Sequence, residues 1–320
     1  MVKIGVLLPT RGELFYHSPK DAVSNVLHMA RTCEDSGIDS IWVGDSLTAK
    51  PRLDPLTMLT AIAMVTKTVR LGTSVLLPVL RNPIQLSQAI NTLNAVCNDR
   101  LTLGMGIGGA FNIKQKEEWR MAGIDYRTRA KRFEEILEIL NQVNERPSVN
   151  FQGKIFNIKD VEIKQRWVSD EKIPLIIASH KRHGINRQFI RAVKYGNGLI
   201  SISDTPSEFH QGVLLVDNLL KTAQNSERPF EKIMYMTVNI NDSVEDAKSD
   251  AEDFLYQYYG SDIWGDRWGP FGTTTQIINK MEEYAQSGAT TIIIRFAAKN
   301  QKMQLSSFIE NILPNFKKHQ

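Results

Sequence analysis

The chain has 320 residues, 42% of them apolar, and a formal net charge of +4 from 39 Lys and Arg against 35 Asp and Glu. That apolar share can bury an ordinary globular core, while the scatter of basic residues argues against nucleic acid or a membrane surface as the main partner. The longest apolar stretches, such as Val75 to Leu80, fall far short of the roughly 20 residues of a membrane span.

At the N-terminus an apolar run stops at Pro9 with no small-residue cleavage site after it, so it reads as a first buried strand, not a leader. Cys33 and Cys97 fall in helical patterns and have no CxxC partner, so free thiols in a reducing cytoplasm are expected. β-branched runs predict strands at Lys3 to Leu8, Ser40 to Val43, Arg70 to Leu76, Leu101 to Ile107, Pro174 to Ala178, Leu199 to Ile202, Ile233 to Ile240 and Thr290 to Phe296. Stretches of helical period follow nearly all of them. In the first, Ala22, Val23, Val26, Leu27, Met29, Ala30 and Cys33 share a face before Gly37. Similar faces run over Pro83 to Val96 and Arg132 to Val143, and Pro83 suits a first helical turn. Eight strands alternating with helices predict an α/β fold, a single (β/α)8 TIM barrel over residues 1–320. Two stretches break the alternation. Residues 149–163 read as a hairpin insertion after the fourth helix, turning at Gly153-Lys154, and residues 256–272 as a packed aromatic loop with Trp264, Trp268 and Phe271.

A barrel of this kind places chemistry at the C-terminal strand ends. The loops there read Pro9-Thr10-Arg11-Gly12-Glu13, Gly44-Asp45-Ser46, Leu77 to Asn82, Gly108-Gly109-Ala110-Phe111-Asn112 and Ser179-His180-Lys181-Arg182-His183-Gly184. Gly104 to Gly109 matches the GxGxxG fingerprint. It arrives at the fourth strand, however, without an immediate apolar helix or a clear acidic partner about 20 residues on, so a Rossmann reading is disfavoured. Missing side chains would instead let a flat ring or a phosphate approach the backbone, unless the glycines serve the turn alone. The flanking Lys181 and Arg182 repel a cation, so no metal is expected at His180 and His183. Phosphate suits that loop better, with Gly184 opening the helix of Arg187 and Arg191; a solvated basic loop is the alternative. Nucleophile motifs such as GxSxG are absent, and Arg129 and Arg132 read as surface pairs with Glu134 and Glu135.

Taken together, Gly37 to Asp45, Val69 to Val75, Asn82-Pro83 through Leu93, Arg100 to Gly106, Phe271-Gly272-Thr273 and Thr291 to Phe296 resemble the luciferase-like superfamily of FMN-dependent monooxygenases and coenzyme F420-dependent oxidoreductases. The resemblance covers nearly the whole chain and implies a non-proline cis peptide at Ser74–Val75. It also implies that Thr73, Ser74 and Val75 back the ring, that Gly106, Ile107, Gly108, Gly109 and Asn112 line its edge and ribityl chain, and that Ala178, Ser179 and His180 approach its phosphate. Sugar-phosphate and alcohol dehydrogenases of the family carry a histidine after the second-strand aspartate and a glutamate in the glycine loop. Here those positions hold Ser46 and Gly109, which leaves Glu13, Asp45 and His180 as candidates for proton transfer, with a structural role for Asp45, capping the second loop, as the alternative. The expectation is hydride transfer between F420, the first choice, or FMN and a small organic substrate, in a homodimer. The alternatives are an FMN monooxygenase fed by a separate flavin or deazaflavin reductase, and a non-catalytic flavin-binding protein.

Overall fold

The computed structural model describes residues 1–162, 172–181, 184, 186–223, 227–260 and 265–317. Eight parallel strands close on themselves as a TIM barrel: β1 (Lys3–Leu7), β2 (Ser40–Val43), β3 (Arg70–Leu76), β4 (Leu101–Met105), β7 (Leu175–Ala178), β8 (Gly198–Ile202), β9 (Glu231–Ile240) and β11 (Thr291–Phe296). The ring runs in chain order, and β8 pairs with β9 and β11 with β1 to complete it. A two-residue strand, β10 (Phe271–Gly272), extends the sheet beside the end of β9. β4 stops at Met105, two residues short of the predicted Leu101 to Ile107, so Gly106 and Ile107 belong to the mouth instead of the strand.

Helices cover the outside: α1 (Pro19–Asp35), α2 (Pro55–Val65), α3 (Pro83–Val96), α4 (Ile113–Met121), α5 (Arg129–Glu145), α6 (Arg187–Tyr195), α7 (Pro206–Thr222), α8 (Val244–Tyr259), α9 (Thr274–Gln286) and α10 (Gln301–Asn311). Their boundaries follow local chemistry. Ser18 caps α1 through the Asp21 amide with Pro19 at the first turn, and Gly37, at φ +70°, follows its C-cap. Ala22, Val26, Met29, Ala30 and Cys33 form the buried face. Cys33 and Cys97 are both free and buried.

α4 is the helix that hydrophobic periodicity misses, because only Glu118 and Trp119 in it are buried and the rest of Ile113–Met121 is exposed or nearly so. With it counted, the hairpin insertion follows the fifth helix instead of the fourth. β5 (Ser148–Gln152) and β6 (Asn157–Glu162) form that antiparallel hairpin, turning at Gly153; Ile163 lies outside the described residues. Val149, Phe151 and Ile158 pack with Ile139 of α5. The surface pairs expected on α5 are not what the structure shows. Glu135 is 1% exposed and accepts from the amides of Lys154, Ile155 and Phe156 at 2.8 to 3.0 Å, so it anchors the hairpin turn. Arg132 donates to the carbonyls of Val79 and Arg81, and Glu134 pairs with Arg191 of α6. Backbone groups left over at loop ends need partners, and these charged side chains supply them.

The aromatic stretch is also partly helical, since Tyr256 to Tyr259 are the last turn of α8, closed by Gly260 at φ +72°. Trp268 and Phe271 pack with Phe254, Leu255, Tyr258 and Phe15; Trp264 lies outside the described residues. No helix among those residues is long and apolar enough to cross a membrane.

Candidate active site

Inside the barrel, Trp42 stands fully buried between two glycines, and a Cβ on Gly5 or Gly72 would approach its ring to 2.6 or 2.3 Å. With Leu7, Ile176, Ile200, Ile233, Tyr235 and Ile293 it fills the barrel interior. Leu7, Val75, Ala178, Ile202 and Tyr235 at the top of this plug are the floor of a cavity of about 550 Å³ at the C-terminal mouth. That is within the range of roughly 300–1,000 Å³ for small-molecule sites.

One wall comes from β3 and β4. Their register shifts between Thr73 and Leu76, and the Ser74–Val75 peptide is cis, as the family resemblance implied. The shift brings the strands too close for a side chain at Gly104, whose Cβ would lie 2.1 Å from the Thr73 carbonyl oxygen. Ser74, Val75, Gly106, Ile107, Gly108 and Gly109 all line the cavity, so this wall is mostly backbone. The Ser74 hydroxyl is buried there without a hydrogen-bond partner. A flat ring bearing a polar edge atom fits such a wall. Thr73 lies behind it, fully buried with Oγ1 donating to the Gly104 carbonyl, and Asn112 is exposed, capping α4 through the Gln115 amide. Neither side chain lines the cavity.

Beside this wall, at the end of β7, Ala178 and His180 line the cavity and Ser179 is buried beneath them. The His180 amide donates to Gln188 Oε1 at 2.8 Å, and its Nδ1 accepts from the Ile202 amide at 3.2 Å, which leaves Nε2 as the protonated nitrogen of the neutral ring. α6 opens at Arg187, three residues later than Gly184 suggested, and Arg187 stays exposed. Arg191, one turn on, reaches the cavity while pairing with Glu134 at 2.9 Å. Arg129 also lines the cavity, together with Gln115 and Gln188. Arg182 and His183 lie outside the described residues.

Of the remaining wall, the sequence had singled out only the strand-end loop of Asp45 and Ser46. Asp45 borders the cavity, but its side chain is 1% exposed and accepts from the Leu77 amide at 2.9 Å and from Arg81 Nη1 and Nη2 at 2.5 and 3.1 Å. Glu13 stands outside the cavity, accepting from Asn25 of α1 at 2.6 Å, with His17 at 3.5 Å. Glu118, buried on α4, accepts from the Ser46 hydroxyl and the Thr48 and Ala49 amides and so holds the loop after β2 in place. That loop brings Lys50 and Arg52 to the cavity, where they meet Tyr235, Tyr258 and Tyr259. Lys50 Nζ sits 4.2 Å from the centroid of the Tyr259 ring. Burial, followed by the charges of Arg52, Arg295 and Arg11, brings the Lys50 ammonium down to about 8, against the opposing pull of Glu118. Burial pushes the Tyr258 phenol up, but Arg52, Arg295 and Arg11 together outweigh it and leave it below the ordinary phenol value. For Tyr258 and Tyr259 the sequence signal was the aromatic clustering around residues 256–272; Lys50 and Arg52 had none.

Residues 2–291 match a family described as luciferase-like monooxygenase. The chain is 24% identical to the F420-dependent glucose-6-phosphate dehydrogenase of Amycolatopsis mediterranei, over 93% of this chain and 95% of that protein. It is 26% identical to the 5,10-methylenetetrahydromethanopterin reductase of Archaeoglobus fulgidus, over 70% of this chain and 63% of that one. Among solved structures, a monooxygenase from Streptomyces bottropensis has a TM-score of 0.83 at 19% identity, covering 99% of this chain and 100% of its own. An F420-dependent secondary alcohol dehydrogenase in complex with an F420–acetone adduct has a TM-score of 0.80 at 18% identity, covering 99% of each chain. At these identities the structural likenesses speak to the fold.

Proposed function

Because this chain belongs to the luciferase-like monooxygenase family and is an enzyme of the flavin- or deazaflavin-dependent oxidoreductase type, we propose that it transfers a hydride between such a cofactor and a small organic substrate. The observation that carries this reading is the unpartnered Ser74 hydroxyl, buried in a side-chain-poor wall of the cavity. A buried hydroxyl without a partner costs free energy that a bound ring with a polar edge would recover. The relatives named as F420-dependent support F420 as the first choice over FMN.

When bound, the ring supplies the hydride donor or acceptor. The protein's part would be to position it: the Ser74–Val75 backbone would stand behind its face with the Ser74 hydroxyl toward a polar edge atom, and Gly106, Ile107, Gly108 and Gly109 would line its edge. Ala178 and His180, with Gln188, Arg191 and Arg129, form the polar end suited to the cofactor's phosphate. Hydride transfer to an activated double bond also needs a proton. Asp45 is held by Arg81 and Glu13 points into α1, so the Tyr258 phenol, which lines the cavity among cations, is the group we assign to hold that proton, with His180 across the mouth.

Titration of the protein with F420 and with FMN, read by quenching of cofactor fluorescence, tests this. Saturable quenching is expected, with Ser74→Ala weakening affinity by about tenfold. Tyr258→Phe is expected to leave quenching unaltered while slowing single-turnover reduction of the substrate by roughly 10²-fold or more. Absence of quenching by either cofactor would overturn the proposal. Oxygen uptake that depends on reduced FMN would replace it with a monooxygenase reading.

A further inference from the structure

Four cationic side chains gather on the side of the mouth that faces away from His180. Arg11 follows β1, Lys50 and Arg52 follow β2, and Arg295 lies on β11. In the barrel's strand order β1 stands opposite β7, which carries the His180 end. None of the four forms an ion pair among the described residues. The nearby carboxylates are occupied elsewhere, Asp45 by Arg81 and Glu118 by the loop of residues 46–49.

Arg295 is the most telling of the group. It is 4% exposed, its Nη1 donates to the Tyr259 hydroxyl at 2.9 Å, and its Nη2 is buried with no partner. Its guanidinium lies 4.2 Å from the centroid of the Tyr258 ring. A recess of about 10 Å³, lined in part by Leu7, Arg11, Arg52, Tyr258 and Arg295, adjoins the main cavity, sharing Leu7, Arg52 and Tyr258 with it. That volume suits one oxygen-sized atom. Gathering one buried and three half-buried cations without a counter-charge among the described residues is costly, and an arriving anion with planar or tetrahedral oxygens offsets the cost through charge-assisted hydrogen bonds.

We propose that the substrate carries an anionic group, a carboxylate or a phosphate ester, that seats against Lys50, Arg52 and Arg295 beside Tyr258 and Tyr259. This rests on the hydride-transfer reading, since the cofactor's own phosphate belongs at the opposite, His180 end. The anionic group then anchors the substrate across the exposed face of the ring and selects acidic substrates over neutral analogues of the same shape.

The test is calorimetric titration of the cofactor-free protein with inorganic phosphate and, separately, with benzoate. Saturable binding of at least one is expected, and which one binds tighter identifies the substrate's anion. The Lys50→Met/Arg52→Met double variant should bind that anion at least tenfold more weakly, whereas Lys50→Arg should retain binding; an anion lost in Arg129→Met but held normally by the double variant would sit at the His180 end and overturn the proposal. Lys50→Gln alone, expected to lose several-fold, serves if the double variant misfolds by circular dichroism. Absence of binding by either anion in the millimolar range, or unaltered binding in the double variant, would overturn the proposal. So would a double variant that binds the anion normally but loses F420 or FMN, because the cluster would then hold the cofactor. Anion binding that persists where no cofactor quenches would place the failure in the hydride-transfer reading and not here.

Discussion

Both oxygens of Asp45 are engaged, one by the Leu77 amide and Arg81 Nη1, the other by Arg81 Nη2. With its side chain 1% exposed, the carboxylate is a clamp between the loops after β2 and β3. Asp45→Asn keeps the shape but leaves the half-buried Arg81 with Asp54, which is 51% exposed, as its remaining counter-charge. A loss of about 2–3 kcal/mol is expected in urea unfolding. Stability equal to the parent's combined with lost turnover would instead show that Asp45 acts on the substrate. The same scale separates the other acidic candidates: Glu118, never singled out in the sequence, shapes the cavity by holding the loop that carries Lys50, and Glu13 ties its loop to α1.

At the scale of elements, one carboxylate of α5 anchors the turn between β5 and β6, beside the apolar packing of the hairpin on Ile139. Burial raises the Glu135 carboxyl, but the amides of Phe156, Lys154 and Ile155 and the nearby Lys131 outweigh it and leave it below its ordinary value of 4.5. A group with a depressed folded-state value stabilises fully above that ordinary value and loses its contribution as pH falls below it. Glu135→Gln is therefore expected to cost about 2 kcal/mol at neutral pH, with the gap to the parent narrowing as pH falls through the region below 4.5. Thermal unfolding of both proteins across that range checks it, and a gap independent of pH would show that packing, not charge, is lost. α4 makes the complementary point, since a helix with so small a buried face is placed by Asn112 at its N-cap and by Trp119, whose Nε1 donates to the Gly109 carbonyl.

For the whole molecule, closure is the governing fact. Arg70 at the start of β3 reaches Glu231 at the start of β9, strands that face each other across the barrel, with the Thr291 hydroxyl also on Glu231. Removing one partner leaves a charge in the barrel's bottom layer, where Arg70 also lies 5.4 Å from the Trp42 ring. Glu231→Gln should lower stability by about 2 kcal/mol and Tm by a few degrees in one cooperative transition. A second, separate transition would mean that the two halves of the barrel unfold independently.

The order and count of barrel strands, their alternation with helices, the hairpin and the C-terminal mouth where the cavity lies were legible in the amino-acid sequence, because each rests on local periodicity, turn residues and a rule of the fold. So were Ser74, Val75 and Gly106 to Gly109 as wall residues, through resemblance of contiguous motifs. What only the tertiary structure decided is pairing between distant side chains: Arg81 taking Asp45, Glu134 taking Arg191, and Lys50, Arg52, Tyr258 and Arg295 meeting from three separate parts of the chain. A charge's role follows from which opposite charge reaches it and how much water is excluded, and barrel closure, not sequence spacing, sets both.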